Sequence, residues 1–344
     1  MASYNKNGQV NIYDIAQMAN VSIATVSRVV NGSDKVSENT RKRVLEIIEK
    51  VGFTPNVFAR GLGLNTMHTV GITVPTISDM YMARAVYYLE KFLSENGYNC
   101  ILGCSGFEQD GKKAQVDLLL SKRIDALILV GSTYAGSGEN IHDTDYIREA
   151  AKNVPVFVIN GDVTGENVYA CVCDDKTAMY EVTSALIKNG RKKIMFISDS
   201  HSYSDNKKLE GYETALKEAK IPVRGELKMY VQNEIHYVRD MLLQYKNLSF
   251  DAVVATDDAI AVGALKYAAA KGLSVPGDIS VAGYNNSSMA IASEPELTSV
   301  DNHVEQVCFD TVERLLKVIH DEAKEVKPRV MVPCHIVKRN TTDF

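Results

Sequence analysis

The sequence predicts a small all-α helix-turn-helix head followed by an α/β body of two lobes with parallel sheets. Three observations carry that prediction. Residues 11–31 hold two short amphipathic segments around a tight turn. From Thr69 onward, short apolar runs alternate with amphipathic stretches, the pattern of strands and helices wound into parallel sheets. The chain has 344 residues, more than one hydrophobic core holds.

The head begins with NIYDIAQMA, where Ile12, Ile15, Ala16 and Ala19 recur at helical spacing. Asn20 tolerates the left-handed conformation that ends a helix. Ser22 is a good N-cap for a second helix, Ile23 to Asn31, with Val26, Val29 and Val30 inward and Gly32 as its stop. Ile23, Ala24, Thr25, Ser27 and Arg28 then face outward. Such a short helix, carrying hydroxyls, a small residue and an arginine, suits a DNA major groove. A third helix is expected over Glu38–Val51, capped by Ser37, with Val44, Leu45, Ile47 and Ile48 as core. Its Arg41-Lys42-Arg43 cluster is expected on or near the phosphate backbone.

In the body, strands are expected at 69–74, 99–104, 126–130, 156–160, 169–173, 193–198, 252–255 and 279–282. Helices are expected at 83–96, 176–189, 209–219 and 260–271. Ligands in such folds sit outside the carboxyl ends of the strands. Those ends are rich in polar residues: Thr76, Ser78 and Asp79; Ser105; Asp174 and Asp175; Asp199 and Ser200; Asp257 and Asp258; Tyr284 to Asn286.

Charge divides the same way. Residues 1–60 hold eight Lys/Arg and five Asp/Glu, a balance of +3, against −5 for the whole chain and therefore −8 for the remainder. A basic head on an acidic body confines nucleic-acid contact to the head. No apolar run approaches the ~20 residues that span a bilayer, and the polar N-terminus does not read as a secretory signal. A cytoplasmic location is the expectation. The six cysteines form no paired CxxC pattern and read as reduced thiols, so neither a metal nor a cofactor is predicted. No HExxH, nucleophile elbow or Walker A sequence is present, which argues against an enzyme.

The segments NIYDIAQMANVSIATVSRVVNG and TRKRVLEIIEKVGFTPNVFARGL resemble the DNA-binding head and hinge of the lactose-repressor/galactose-repressor (LacI/GalR) family. The head is particularly similar to those of catabolite control proteins. The body resembles the family's effector domain, of type I periplasmic-binding-protein-like fold, through VGITVP, LEGYETAL, VPGDISVAGYNNSSMA and PELTSV. The resemblance implies base reading by Ile23, Ala24 and Arg28, and backbone contacts from Ser22, Thr25, Ser27 and Asn31. It implies a hinge helix with Asn56, Ala59, Arg60 and a minor-groove wedge at Leu62. It also implies an effector pocket with Tyr81, Asp174, Lys208, Asp258 and Asn285. The domains are expected at 1–55 (head), 56–67 (hinge and linker), 68–165 plus 301–328 (first lobe) and 166–300 plus 329–344 (second lobe).

Two departures bear on the pocket. Lys208 stands where many members carry an arginine, and Asn285 where many carry an aspartate. Lysine lacks the bidentate fork, and asparagine lacks the negative charge. The expected effector is a sugar or a sugar phosphate, with a protein co-regulator as a further partner. The whole reads as a homodimeric regulator, a repressor of carbohydrate-related genes, on a pseudo-palindromic operator. A free solute-binding module is the competing class, and the head argues against it.

Overall fold

The computed structural model describes residues 10–30, 33–53, 66–137, 140–245 and 249–344. The chain separates into two compact units, Met1–His68 and Thr69–Phe344.

In the head, α1 (Ile12–Met18), α2 (Ile23–Val30) and α3 (Glu38–Val51) pack around Ile15, Ala16, Ala19, Val26, Val29 and Val44. Asn11 caps α1 by accepting from the Tyr13 and Asp14 amides, and the Asp14 carboxylate reaches back to the Asn11 amide. This reciprocal box satisfies donors that the first turn leaves orphaned. Asn20 adopts the expected left-handed φ of 50°. Ser22 Oγ accepts from the Thr25 amide at 3.1 Å and fixes the start of α2. Ser37 departs from its expected role: its hydroxyl pairs with Thr40 Oγ1, and it makes no side-chain bond to the backbone. Leu45 is exposed and does not join the core. Arg41 is half-buried and donates to the Ser33 carbonyl at 2.7 Å, with Asp34 and Glu38 within 4 Å. It ties the α2–α3 loop together, whereas Lys42 and Arg43 remain exposed.

The body opens with β1 (Thr69–Val74), α4 (Met80–Glu95), β2 (Asn99–Cys104), α5 (Gln109–Leu120), β3 (Ala126–Val130), α6 (Asp145–Ala151), β4 (Val156–Ile159) and β5 (Val168–Cys173). It continues with α7 (Asp175–Lys188), β6 (Ile194–Ser198), α8 (Tyr203–Glu218), β7 (Lys228–Tyr230), α9 (Ile235–Gln244), β8 (Ala252–Ala255), α10 (Asp258–Lys271), β9 (Ser280–Tyr284), α11 (Ser288–Ala292) and β10 (Thr298–Asp301). It closes with α12 (Val304–Ile319), β11 (Arg329–Val332) and β12 (His335–Val337). These strands form two six-stranded sheets, ordered β11-β5-β4-β3-β1-β2 and β12-β10-β9-β8-β6-β7. All pairings are parallel except β10 with β12.

Parallel strands covered by helices on both faces are apolar on both. In β3, Ile128 and Val130 join one core with α4 and α12, while Leu127 and Leu129 join another with α5 and α6. In β8, Val253 and Ala255 face one core, and Ala252 and Val254 the other. Gly211 lets α7 and α8 close, since a Cβ there would strike the Lys176 carbonyl.

The expected lobe boundary shifts. Strand β5 and strand β11 belong to the first sheet, so the first lobe runs through Cys173 and regains residues up to Val332. Their apolar runs fix strand identity but not which sheet each joins. The chain crosses between lobes after β5, between β10 and α12, and between β11 and β12.

Candidate functional site

Two surfaces concern function, one in each unit. On the head, Ser22, Ile23, Ala24 and Arg28 are exposed, and Thr25 and Ser27 are half-exposed. Val26 and Val29 are buried behind them, so the alternation along α2 aims these residues outward. Arg28 takes part in no ion pair among the described residues and lies on the exposed face of α2. The Ser22 and Thr25 hydroxyls lie 2.9 Å apart. Asn31 and the hinge residues Asn56, Ala59, Arg60 and Leu62 lie outside the described residues.

The second surface is the cleft between the lobes of the body, at the carboxyl ends of both sheets. Its centre is Lys208 on α8, only 6% exposed. Nζ donates to Asp205 Oδ1 and to the Thr256 carbonyl, each at 3.1 Å, and lies 4.2 Å from the centre of the Tyr284 ring. Burial opposes the ammonium charge, but Asp205, Asp175 and Asp199 outweigh it and raise the Lys208 pKa. Asp205 is held in turn by Ser198 and Ser200, whose hydroxyls donate to Oδ2 at 3.0 and 2.6 Å. Lys208 is therefore an internal counter-ion, already committed to protein acceptors. That differs from its expected part in gripping a ligand.

Three other expected pocket residues are also absorbed by the fold. Asp258 is buried; Ser299 Oγ donates to Oδ1 and the Ser287 amide to Oδ2, both at 2.6 Å. It braces the segment after β9 against β10, and Gly283 makes room for it, since a Cβ there would strike Oδ1. Asp174 caps α7 through the Thr177 amide. Tyr81 is 8% exposed, with its ring in the first-lobe core and its hydroxyl 2.7 Å from Asn160 Nδ2. Helix α4 starts three residues earlier than expected, which carries Tyr81 inward on its first turn.

Asn285 stays at the cleft. It is half-buried, with a left-handed φ of 88° that asparagine tolerates. Its Nδ2 donates to Asp257 Oδ2 and its Oδ1 accepts from Asn302 Nδ2, both at 2.8 Å. Asp257 caps α10 through the Ala259 amide. Burial, then the charges of Asp79 and Asp258, push its pKa up to about 7. Asp199 has an exposed face yet is surrounded by protein on its other sides. Desolvation, then Asp205 and Asp257, push it up to about 8. Burial likewise raises the pKa of Asp79, which caps α4. Asp175 is 2% exposed and accepts from Ser204 Oγ and Tyr284 OH, both at 2.7 Å, with its pKa raised by burial.

Asp79, Asp199 and Asp257 thus matter more at the cleft than Tyr81, Asp174 or Asp258. Their signal was visible as acids at strand ends, but residue type alone does not tell a helix cap from a cleft wall. Two buried acceptors, Asn302 Oδ1 beside Asn285 and Asn160 Oδ1 beside Tyr81, have no hydrogen-bond partner among the described residues. The lobes are joined by Arg84 donating to the Asn286 carbonyl, Ser132 to Ser202, and Asn206 to the Ser137 carbonyl.

Comparison with known proteins agrees with this division. Residues 11–56 match the family described as bacterial regulatory proteins, lacI family, and residues 183–342 match a periplasmic binding protein-like domain. An HTH-type transcriptional regulator of Lachnoclostridium phytofermentans is 43% identical over 97% of this chain and 100% of its own length. Catabolite control protein A of Priestia megaterium is 32% identical over 97% and 99%. Among solved structures, the Lac repressor dimer bound to operator and the anti-inducer ONPF superposes with a TM-score of 0.86 at 23% identity, over 97% and 99%. A complex of the transcriptional regulator CelR with cellobiose superposes at 0.68 and 25% identity, over 97% and 100%.

Proposed function

Since this chain belongs to the lacI family of bacterial regulatory proteins, we propose that it represses carbohydrate-related genes and is gated by a neutral sugar bound between the lobes. It is a DNA-binding transcription regulator, not an enzyme. The observation that carries the effector class is the electrostatics of the cleft. The Lys208 ammonium is spent on Asp205, Thr256 and Tyr284, while Asp199 and Asp257 of the second lobe and Asp79 of the first converge on the cleft. Burial and mutual repulsion already hold Asp199 and Asp257 partly protonated near neutral pH, and an anionic ligand beside them would add to that crowding. A polyhydroxylated neutral ligand offers donors to those carboxylates and to the unpaired carbonyl oxygens of Asn302 and Asn160. Of the two effectors expected from the sequence, the sugar fits and the sugar phosphate does not.

Two heads in a homodimer read the halves of a pseudo-palindromic operator in the cytoplasm. Ile23, Ala24 and Arg28 read base edges, and Ser22, Thr25, Ser27 and Asn31 hold the backbone. Asn56, Ala59, Arg60 and Leu62 act at the minor groove. Lobe closure on the sugar biases the head's affinity for DNA by a coupling of typically ~1–3 kcal/mol.

Calorimetric titration of the full chain with neutral mono- and disaccharides, and with their phosphates, tests the effector. Binding of a neutral sugar that weakens in D257N supports it; binding confined to the phosphates overturns it. Silence from both panels favours a protein co-regulator instead. For the head, Arg28→Ala at a selected operator is expected to lose roughly 1–3 kcal/mol and to relax preference at one base pair. Unchanged affinity and discrimination would reject the base-reading role.

A further inference from the structure

At the segments that cross between the lobes, Asp301, His303 and His335 each present a ligand atom, and these atoms all lie within 4.8 Å of one another. His335 Nδ1 and His303 Nε2 are 2.8 Å apart, with ring centres at 4.5 Å. Asp301 Oδ1 accepts from the His303 amide at 2.8 Å, and Oδ2 accepts from Asn286 Nδ2 at 3.0 Å. Each oxygen keeps a lone pair beyond those bonds. His335 is exposed, whereas Asp301 and His303 are half-buried, so solvent reaches the cluster and can complete a coordination sphere.

We propose that these three residues bind a divalent transition-metal ion, with zinc as the favoured occupant. Two imidazoles and one carboxylate are a donor set for zinc, and three protein ligands with one open position are a common zinc geometry. Metal–ligand bonds of about 2.0–2.2 Å place ligand atoms roughly 3–4 Å from one another. The His303–His335 contact, at 2.8 Å, therefore opens by roughly 0.2–1.2 Å. Both facing nitrogens must be unprotonated, so each ring carries its proton on the far nitrogen. His303 holds a left-handed φ of 52°, uncommon for a histidine.

The pattern has no local sequence signature, because the two histidines stand 32 positions apart. The fold brings them together: Asp301 ends β10, His303 precedes α12 and His335 opens β12. These are the ends of two of the three segments that cross between lobes. An ion there cross-links both crossings and stabilises the lobe arrangement in which its ligands converge.

The test is calorimetric titration of tag-free full-length protein with Zn2+ alone, in a non-chelating buffer. Wild type is expected to bind one ion per chain at its strongest site. H303N, which keeps a residue tolerant of the left-handed backbone, and H335Q are each expected to weaken that site by at least about 10–100-fold, the loss that outer-shell changes alone produce. Zn2+ is expected to raise the melting temperature of wild type but not of H335Q. Cys104 is an exposed thiol, so C104S must leave the strong site intact. Co2+ in its place should give visible bands without thiolate charge transfer. Absence of tight binding, equal affinity in both histidine variants, or loss in C104S overturns the proposal. If H303N lowers metal-free stability, the exposed H335Q decides.

Discussion

Each lobe of the body buries one lysine among the described residues, and the two do opposite things. Lys112 in the first lobe and Lys208 in the second are both 6% exposed. Lys112 donates to the Thr133 carbonyl at 2.8 Å and lies 5.9 Å from the Tyr134 ring centre. Burial lowers its pKa, and Asp143 and Glu108 do not make up the difference. Lys208 sits nearer its ring and among carboxylates, and its pKa rises. The same contrast runs through a buried tyrosine of each lobe. In the first lobe Tyr134 OH bonds only hydroxyls, Thr73 at 3.0 Å and Ser105 at 2.8 Å. In the second, Tyr284 OH donates to the Asp175 carboxylate. Two sheets of one architecture thus carry unlike chemistry: around Lys112 the first lobe offers carbonyl and hydroxyl groups, whereas around Lys208 the second holds an interlocked ionic network. The fold places the walls, and the side chains at the strand ends decide what they recognise.

The sharpest way to break this comparison is to remove both lysines in turn. K208M leaves Asp205 and Asp175 without their cation and should cost about 3–5 kcal/mol in denaturant unfolding at neutral pH. K112M loses one carbonyl bond but relieves a poorly compensated charge, and should stay within about 1 kcal/mol of wild type. Equal losses would erase the distinction between the lobes. At the next level, Y284F removes a hydrogen bond to a carboxylate and is expected to cost about 1.5–3 kcal/mol, against about 1 kcal/mol for Y134F.

The pH dependence tests the second lobe's buried acids directly. Asp199 and Asp257 titrate at about 8 and about 7 in the folded chain, both raised from 3.8 first by burial. The native state therefore holds more protons than the unfolded chain between about pH 4 and pH 8. Stability is fully present below pH 4 for these groups and falls as pH rises through 7 to 8. D257N and D199N should each flatten that fall in urea midpoints measured from pH 5 to pH 8.5. A slope unchanged in both would refute the assignment.

Much of the fold was legible because its signals are local. Short apolar runs located β1 to β6, β8 and β9, and Asn20 and Ser22 marked the turn of the head, whereas the short strands β7, β10, β11 and β12 were not expected. The lobe boundary was not legible, since β5 and β11 join the first sheet through register, which no local pattern encodes. The cleft was legible as a place but not as a set of contacts. Strand-end aspartates flagged it, yet Asp258 and Asp174 serve the backbone while Asp257 and Asp199 face the cleft. Lys208 was expected to line the effector pocket, and its commitment to protein acceptors was hidden because Thr256 and Tyr284 lie far along the chain.

The three crossings between lobes also order events during synthesis. Strand β5 leaves the ribosome with one edge bare, and its partner β11 follows only after all of the second lobe except β12 and the C-terminal residues has been made. Helix α12, which fills the first-lobe core against α4, is equally late. The first lobe is thus begun first but completed only after nearly all of the second, and an unpaired strand edge invites pairing with other chains while it waits. For a nascent chain the second lobe, with its own edge strand β12 later still, is an insertion inside an unfinished sheet. Shielding that edge is a task for chaperones or for speed of synthesis, and circular permutants that join β11 directly to β5 would remove the delay.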